Sequence, residues 1–200
     1  MRGWSIVKVG CFGGTFDPVH LGHLIIAEFL TEVAALDKIL FIPAGQPPHK
    51  PYPPITPTHH RQRMMELAIS DNPRFELSLI EMERSGKSYT VETLQSLKNI
   101  YSRTNLFLII GMDNLVDLPN WKAPEQILDL CTLLVVPRLG FSLEQVDPRF
   151  RDQAVVVRTP LIEIASRDIR QRVREGKSIR YLVPEKVESY IRKHGLYRGE

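Results

Sequence analysis

Short apolar runs of strand length alternate along this chain with longer segments in which apolar residues recur at helical spacing. The runs of strand length are Ile6–Phe12, Lys38–Pro43, Phe75–Leu79, Leu106–Ile110, Thr132–Val136 and Ala154–Val157. The helical segments are Leu21–Ala35, Thr58–Ser70, Thr90–Tyr101, Pro124–Leu130, Ser166–Glu175 and Pro184–His194. This alternation predicts an α/β fold: a Rossmann-like, doubly wound parallel sheet with helices on both faces and a small helical C-terminal part. Ligands of such sheets bind beyond the C-terminal ends of the strands, where the strand order reverses.

The segment between the first strand and the first helix predicts a phosphate site. It reads Gly-Gly-Thr-Phe-Asp-Pro-Val-His-Leu-Gly-His over residues 13–23. Gly13 and Gly14 have no Cβ, so we expect a turn that lets a ligand approach the backbone and offers N–H groups to an anion. His20 and His23 are three residues apart at the start of a helix and lie on one face, where both can donate hydrogen bonds to phosphate oxygens.

The pattern Gly-x-Phe-x-Pro-x-His-x-Gly-His in this segment resembles the signature of the nucleotidyltransferase superfamily. The complete sequence of residues 13–23 is most similar to the corresponding segment of bacterial nicotinate-nucleotide adenylyltransferases. That resemblance implies transfer of AMP from ATP to nicotinate mononucleotide, which gives deamido-NAD and pyrophosphate. It also implies that the nucleotide is bound by Gly13, Gly14, Thr15, Phe16, His20 and His23.

Three further segments are similar to parts of the same family that face the acceptor. Pro-Pro-His-Lys ends at Lys50, Ser-Tyr-Thr contains Tyr89 and Thr90, and Asn-Trp contains Trp121. The resemblance implies that Lys50 approaches the nucleotide phosphates, that N–H groups near Tyr89 and Thr90 face the nicotinate carboxylate, and that Trp121 lies against the pyridine ring. From the residues alone, a stiff proline-rich loop, a capped helix and a core tryptophan stay open as interpretations.

Later segments of the chain resemble the part of the family that binds ATP. Gly111 and Asp113 match a Gly-x-Asp that places a carboxylate near ribose hydroxyls, and Arg138 has a match near the adenine end. Ile-Ala-Ser-Arg-Asp-Ile-Arg, residues 164–170, corresponds to a family signature Ile-Ser-Ser-Thr-x-Ile-Arg. Ser166, of a residue type that favours helix N-caps, and Arg170 are retained on one helix face where both could reach a phosphate. Ala165 and Arg167 depart from that signature and put hydroxyl contacts at their positions in doubt.

Length and composition predict one domain over residues 1–200, and the resemblance implies that it is a nucleotidyltransferase domain. The chain is 43% hydrophobic and 24% charged, which is ordinary globular usage. The formal net charge is +3, but the basic residues are not interleaved with aromatic residues as they are in proteins that bind single-stranded nucleic acid. No nucleic-acid partner is therefore expected. Apolar runs too short for a bilayer and the absence of a signal-peptide pattern predict a cytoplasmic protein without a membrane partner. Cys11 and Cys131, in apolar segments, are expected to be reduced thiols.

Other motifs with related chemistry are missing from the sequence. Gly86-Lys87-Ser88 and Gly176-Lys177-Ser178 lack the first glycine of a Walker loop, and the first strand is not followed by Gly-x-Gly-x-x-Gly. No zinc-site spacing accompanies the histidines, so no protein-held metal is predicted. NAD chemistry is therefore expected in the product and not in a redox cofactor.

The predicted reaction needs no protein nucleophile, because the acceptor phosphate attacks the α-phosphorus of ATP in line. The candidate catalytic residues are His20, His23 and Arg170, with Lys50 as an electrostatic clamp and Mg²⁺ held mainly by ATP. The expected partners are ATP and nicotinate mononucleotide, with a homo-oligomer left open. Two alternatives also stay open: another phosphate acceptor, such as nicotinamide mononucleotide or phosphopantetheine, and a non-catalytic module that senses ATP.

Overall fold

The computed structural model describes residues 6–47 and 55–199 and contains one parallel sheet in the order β3-β2-β1-β4-β5-β6. The strands are β1 (Val7–Gly14), β2 (Lys38–Pro43), β3 (Phe75–Leu77), β4 (Thr104–Gly111), β5 (Thr132–Val136) and β6 (Ala154–Val156). The strand order reverses between β1 and β4, whose C-terminal ends therefore flank the switch point of the sheet. The predicted doubly wound parallel sheet is confirmed.

Helices cover both faces of the sheet. They are α1 (Leu21–Val33), α2 (Thr58–Ile69), α3 (Thr90–Ile100), α4 (Met112–Asp117), α5 (Pro124–Leu130), α6 (Pro148–Arg151), α7 (Ser166–Arg174) and α8 (Glu185–Lys193). Helices α1, α2, α7 and α8 pack on one face around Phe41 and Ile109. Helices α3 to α6 pack on the other face around Val9 and Leu108. Each face thus has its own apolar core, as expected when a central sheet is apolar on both sides.

Two local predictions about the ends of these elements are wrong. Gly13 and Gly14 are the last two residues of β1, where they pair with Ile42 and Pro43 of β2, so the turn begins only at residue 15. Ser166 is the first residue of α7 and not its N-cap, a position taken by Ala165. The pairing of β1 with β2 extends the strand because backbone hydrogen bonds override the turn preference of glycine.

The cysteines and the lengths of the helices relate to two further expectations from the sequence. Cys11 and Cys131 are both free thiols, Cys11 buried and Cys131 partly buried, and burial raises the pKa of each to about 12. A thiol with so high a pKa carries almost no thiolate at neutral pH and is a poor nucleophile. Among residues 6–47 and 55–199, no helix combines the length and the apolar character that crossing a bilayer requires.

Candidate active site

The segment of residues 15–20, here called the phosphate loop, links the end of β1 to α1 at the switch point of the sheet. Phe16 has a left-handed backbone (φ 48°), and its side chain is only 2% exposed. Its ring packs edge-on against Phe12 and Phe41 on neighbouring strands and against the ring of His23, 4.9 Å away between centroids. The side chain of Phe16 is therefore a core element that supports His23, which leaves only its backbone for a ligand.

Gly13 and Gly14 have different surroundings. A Cβ on Gly14 would lie 2.9 Å from the Phe16 ring, closer than carbon atoms can approach. A Cβ on Gly13 would have no heavy atom of the described residues within 4 Å. The lack of a side chain at Gly14 thus serves the packing of Phe16, whereas the space beside Gly13 is open to a ligand.

His20 and His23 form a stacked pair at the N-terminus of α1. Their ring centroids are 3.6 Å apart, and the backbone N–H of His20 donates a hydrogen bond to Nδ1 of His23 at 3.2 Å. Because Nδ1 of His23 accepts this bond, the proton of the neutral ring is on Nε2. The backbone of His20 thereby makes His23 an Nε2–H donor.

Both histidines are held in the neutral form. Burial, with a smaller contribution from Arg138, lowers the pKa of His20 to about 4. Burial, then His20 and Arg138, lowers the pKa of His23 well below its usual value. The side-chain Nδ1 of His20 is buried and has no hydrogen-bond partner among the described residues. Buried polar atoms are normally paired, so this atom indicates a place for a ligand or water.

Residues at the ends of β4 and β5 lie beside the histidine pair. Nε of Arg138 is 3.6 Å from Oδ2 of Asp113, and Asp113 is in the first turn of α4. Oδ1 of Asp113 is buried against Gly111, where a Cβ would collide with it, and is without a hydrogen-bond partner in the described part of the chain. Gly111, Asp113 and Arg138 are therefore brought together at the C-terminal ends of two neighbouring strands.

The start of α7 contacts the phosphate loop through backbone carbonyls. Oγ of Ser166 donates to the carbonyl of Pro18 at 2.8 Å, and Nη1 of Arg170 donates to the carbonyl of Asp17 at 2.6 Å. The hydroxyl proton of Ser166 is thus used within the protein and cannot also reach a phosphate. Arg167 is exposed and pairs with the neighbouring Asp168. Helix α7 thus contacts the phosphate loop directly, and the side chains of Ser166 and Arg170 bind the backbone of that loop.

Residues predicted to face the acceptor lie around the start of α3. The ring of Tyr89, the N-cap residue of α3, lies 4.4 Å from Nζ of Lys122, which follows Trp121 in the chain. Trp121 packs partly into the core of that face and donates from Nε1 to Asp117 at 3.3 Å. Tyr89 and Trp121 therefore belong to one neighbourhood, with Thr90 as the first residue of α3.

Comparisons with known proteins agree on one family. The cytidylyltransferase-like family model matches residues 11–172. A protein of Thermomicrobium roseum named "probable nicotinate-nucleotide adenylyltransferase" is 48% identical over 196 residues, covering 96% of this chain and 92% of that protein. A protein of the same name from Thermus thermophilus is 43% identical over 192 residues, covering 96% of this chain and all of the relative (100%). The chain belongs to the nicotinate-nucleotide adenylyltransferase family.

A solved structure supports the fold independently of close sequence similarity. The Plasmodium falciparum nicotinic acid mononucleotide adenylyltransferase complexed with NaAD superposes with a TM-score of 0.78 at 18% identity. The match covers 96% of this chain and 97% of that chain. At this identity the similarity concerns the fold, and it extends over nearly all of both chains.

Three residues near the site of this family member were not predicted from its sequence. Asp17 accepts hydrogen bonds from the Tyr197 hydroxyl at 2.7 Å and the Thr56 N–H at 3.2 Å. Arg61 is 1% exposed beneath the phosphate loop. Arg61 precedes the buried Met64, Met65 and Ala68 at helical spacing, and this periodicity is the signal that could have placed it on the buried face of α2. For Tyr197, 180 positions from Asp17, the sequence carries no comparable signal.

One predicted site residue, Lys50, lies outside the described residues. Its segment of the chain connects Gln46 and Pro47, at one end of the described region, to Ile55 at the other. The role assigned to Lys50 therefore stays a prediction.

Proposed function

We propose that this chain is a nicotinate-nucleotide adenylyltransferase that transfers AMP from ATP to nicotinate mononucleotide, releasing pyrophosphate and forming deamido-NAD. One observation carries the proposal: the neutral, stacked pair of His20 and His23 at the switch point, with a buried unpartnered Nδ1 on His20. The name and near-complete coverage of the relatives support the choice of substrates.

The proposed reaction is an in-line displacement at the α-phosphorus of ATP. The acceptor phosphate supplies the nucleophile and already carries negative charge, so no protein base is required. The protein contributes by placing the two phosphates against each other and by stabilising the charge on the transferring and leaving oxygens. Donors are what this chemistry needs, and His23 is a donor by virtue of its tautomer.

We assign His23 to the transferring phosphate and His20 to the phosphates of ATP. Nε2–H of His23 is a neutral donor whose orientation is set before the ligand binds, so little reorganisation is needed when charge develops. The open space beside Gly13 is proposed as the approach of the phosphate chain to the backbone, with Thr15 and Phe16 contributing through main-chain atoms.

Arg170 is proposed to act on phosphate through the N–H groups that do not bind the Asp17 carbonyl. A guanidinium has five N–H donors, and Nη1 is the one seen on that carbonyl. Ser166 is assigned to holding the loop, and the N-terminus of α7 to binding an anion through backbone N–H groups. In this proposal α7 still binds phosphate together with the phosphate loop, but the side chain of Ser166 does not contact the phosphate.

The nucleoside end of ATP is assigned to the group formed by Gly111, Asp113 and Arg138. The unpartnered Oδ1 of Asp113 is an acceptor suited to a ribose hydroxyl. Arg138 is proposed to lie near the adenine, where a guanidinium can stack on a flat base.

The acceptor is assigned to the start of α3 and to Trp121. Backbone N–H groups at residues 89 and 90 suit the nicotinate carboxylate, and the indole face of Trp121 suits the pyridine ring. Lys50 is proposed as a further cation for the phosphates.

Mg²⁺ is proposed to enter as part of the substrate, bound to the phosphates of ATP, because phosphate oxygens and water are the ligands it prefers. Among the described residues no group of three or more His, Cys, Asp or Glu side chains is placed to hold a metal ion, so the proposal gives it no set of protein ligands. A cytoplasmic location is proposed, because thiols such as Cys11 and Cys131 stay reduced there.

One assay tests the function. The purified protein is incubated with MgATP and, in parallel, nicotinate mononucleotide, nicotinamide mononucleotide or phosphopantetheine, and pyrophosphate release is measured. We expect release with nicotinate mononucleotide to exceed release with the other acceptors. Preference for another acceptor would reassign the substrate, and ATP binding without pyrophosphate release from any acceptor would leave only a nucleotide sensor.

A further inference from the structure

A buried arginine lies beneath the phosphate loop, and its side chain hydrogen-bonds to backbone carbonyls, one of them in that loop. Arg61 is in the first turns of α2, is 1% exposed and is among the largest fully buried side chains of the described residues. Burying a guanidinium is costly unless its N–H groups are satisfied. The buried N–H groups of Arg61 must therefore have hydrogen-bond acceptors within the protein.

The guanidinium of Arg61 donates to backbone carbonyls of three different segments. Nε reaches the carbonyl of Thr56 at 3.0 Å, Nη1 that of Thr15 at 3.0 Å and Nη2 that of Gly45 at 3.4 Å. Thr15 begins the phosphate loop, Gly45 follows β2, and Thr56 precedes α2. One side chain thus joins the phosphate loop to both ends of the segment that contains Lys50.

The bond to Thr15 also fixes the direction of the next N–H group. In a trans peptide the C=O and the N–H point in opposite directions. Since Arg61 holds the Thr15 carbonyl toward the interior, the N–H of Phe16 is directed away from Arg61. The orientation of an N–H group in the phosphate loop therefore depends on a side chain beneath it.

Arg61 orients the peptide after Gly45 in the same way, and this peptide contacts the residue before α3, where the acceptor is proposed to bind. With the Gly45 carbonyl held by Arg61, the N–H of Gln46 points the other way and donates to Oγ of Ser88 at 3.3 Å. The N–H of Gly45 donates to the same oxygen at 3.0 Å. Ser88 directly precedes Tyr89, the N-cap residue of α3. A continuous path of hydrogen bonds thus runs from the phosphate loop through Arg61 and Ser88 to the start of α3.

We propose that Arg61 is a positioning residue that sets the orientation of the Thr15–Phe16 peptide and the spacing between the phosphate loop and the start of α3. This inference rests on the proposed function, because that reaction uses one substrate on each side of this path. An arginine suits the task because its planar fork presents donors in three fixed directions, whereas a lysine ammonium is a single point on a flexible stem.

The test compares Arg61→Lys with Arg63→Lys, the same substitution two residues along α2. Arg63 is exposed and pairs with Glu66 at 2.8 Å, so it shares the helix without the contacts to the loops. We expect kcat of folded Arg61→Lys to fall about 10²-fold, the scale of a misplacement of about 1 Å between reacting groups. Arg63→Lys should keep the wild-type kcat.

A readout independent of substrates accompanies the kinetics. NMR order parameters of the Phe16 and Gln46 amides should fall in Arg61→Lys from the rigid range near 0.85 toward values below about 0.6, and should stay rigid in Arg63→Lys. A thermal unfolding curve for each variant shows whether it is folded at the assay temperature. Arg61→Gln, which is neutral but keeps two donors, serves as the second variant.

The outcomes separate the inference from the proposed function. A folded Arg61→Lys with wild-type kcat and rigid amides overturns the positioning role, and failure of both Arg61 variants to fold gives Arg61 a purely structural role and overturns it as well. If the wild-type protein releases no pyrophosphate with any acceptor, the proposed function fails, while the order parameters still decide whether Arg61 orients the loop.

Discussion

The backbone N–H of His20 donates a hydrogen bond to Nδ1 of His23 at 3.2 Å, and this single contact makes His23 an Nε2–H donor. The two rings stack, so the same pair that defines the tautomer also excludes water from one face of each ring. A neutral imidazole whose N–H is oriented in advance can donate to developing charge with little reorganisation.

His23→Ala is expected to lower turnover by about 10² to 10³, the usual cost of removing one donor to a transition state. The fold should persist, because His23 is in the first turn of α1 and the apolar core of that face is built by other residues, such as Phe41 and Ile109. Steady-state pyrophosphate release and far-UV circular dichroism check both parts. His59→Ala, at an exposed histidine of α2, is the control, and near-wild-type turnover of His23→Ala would remove His23 from the mechanism.

The pH dependence of stability should report the lowered pKa of His20. In the unfolded chain His20 has a pKa of about 6.5, whereas in the folded protein its pKa is about 4. Between these two values the unfolded chain binds a proton that the folded protein does not bind. The free energy of unfolding therefore falls as the pH is lowered from about 6.5 to about 4. The slope from this group is at most about 1.4 kcal/mol per pH unit. Denaturant unfolding between pH 7 and pH 4.5 measures it, and the slope should be smaller in His20→Gln; an unchanged slope would contradict the assignment.

Gly14→Ala should lower the stability of the fold, whereas Gly13→Ala should lower the affinity for ATP. A Cβ at Gly14 would meet the Phe16 ring at 2.9 Å, and we expect a loss of about 1–3 kcal/mol in unfolding free energy from overpacking. A Cβ at Gly13 meets nothing within 4 Å among the described residues, so stability should hold while ATP affinity falls. Thermal unfolding and ATP titration of both variants check this, and equal ATP affinity of wild type and Gly13→Ala would exclude a close approach of ATP there.

Tyr197→Phe removes the hydroxyl that donates to Oδ1 of Asp17 at 2.7 Å. A hydrogen bond to a charged group contributes about 1.5–3 kcal/mol, and we expect a loss of that order. Burial and the neighbouring Asp17 raise the pKa of the Tyr197 hydroxyl, so the contact persists across the accessible alkaline range. Tyr181→Phe is the matched control because Tyr181 is 80% exposed. Equal unfolding free energies of the two variants would show that the bond contributes nothing.

The sequence predicted the elements well because their signals are local. Apolar periodicity over five to fifteen residues distinguished strands from helices, and β2 and α5 begin and end where the sequence predicted. The short helix α4 was missed, since its six residues are too few for a periodic pattern. The glycines at the end of β1 were misjudged, because pairing with β2 is decided by a neighbouring strand and not by glycine itself.

The sequence by itself determined the family, the doubly wound sheet and the pairing of the phosphate loop with His20 and His23, because each depends on residues that are close in the chain. Only the tertiary structure decided what several of those residues do. The Ser166 hydroxyl donates a hydrogen bond to the carbonyl of Pro18, 148 positions away, and the Tyr197 hydroxyl donates to Asp17 across 180 positions. Arg61 binds carbonyls of three loops that the sheet brings together. Such contacts depend on where the topology places distant backbone groups, and no local pattern encodes that placement.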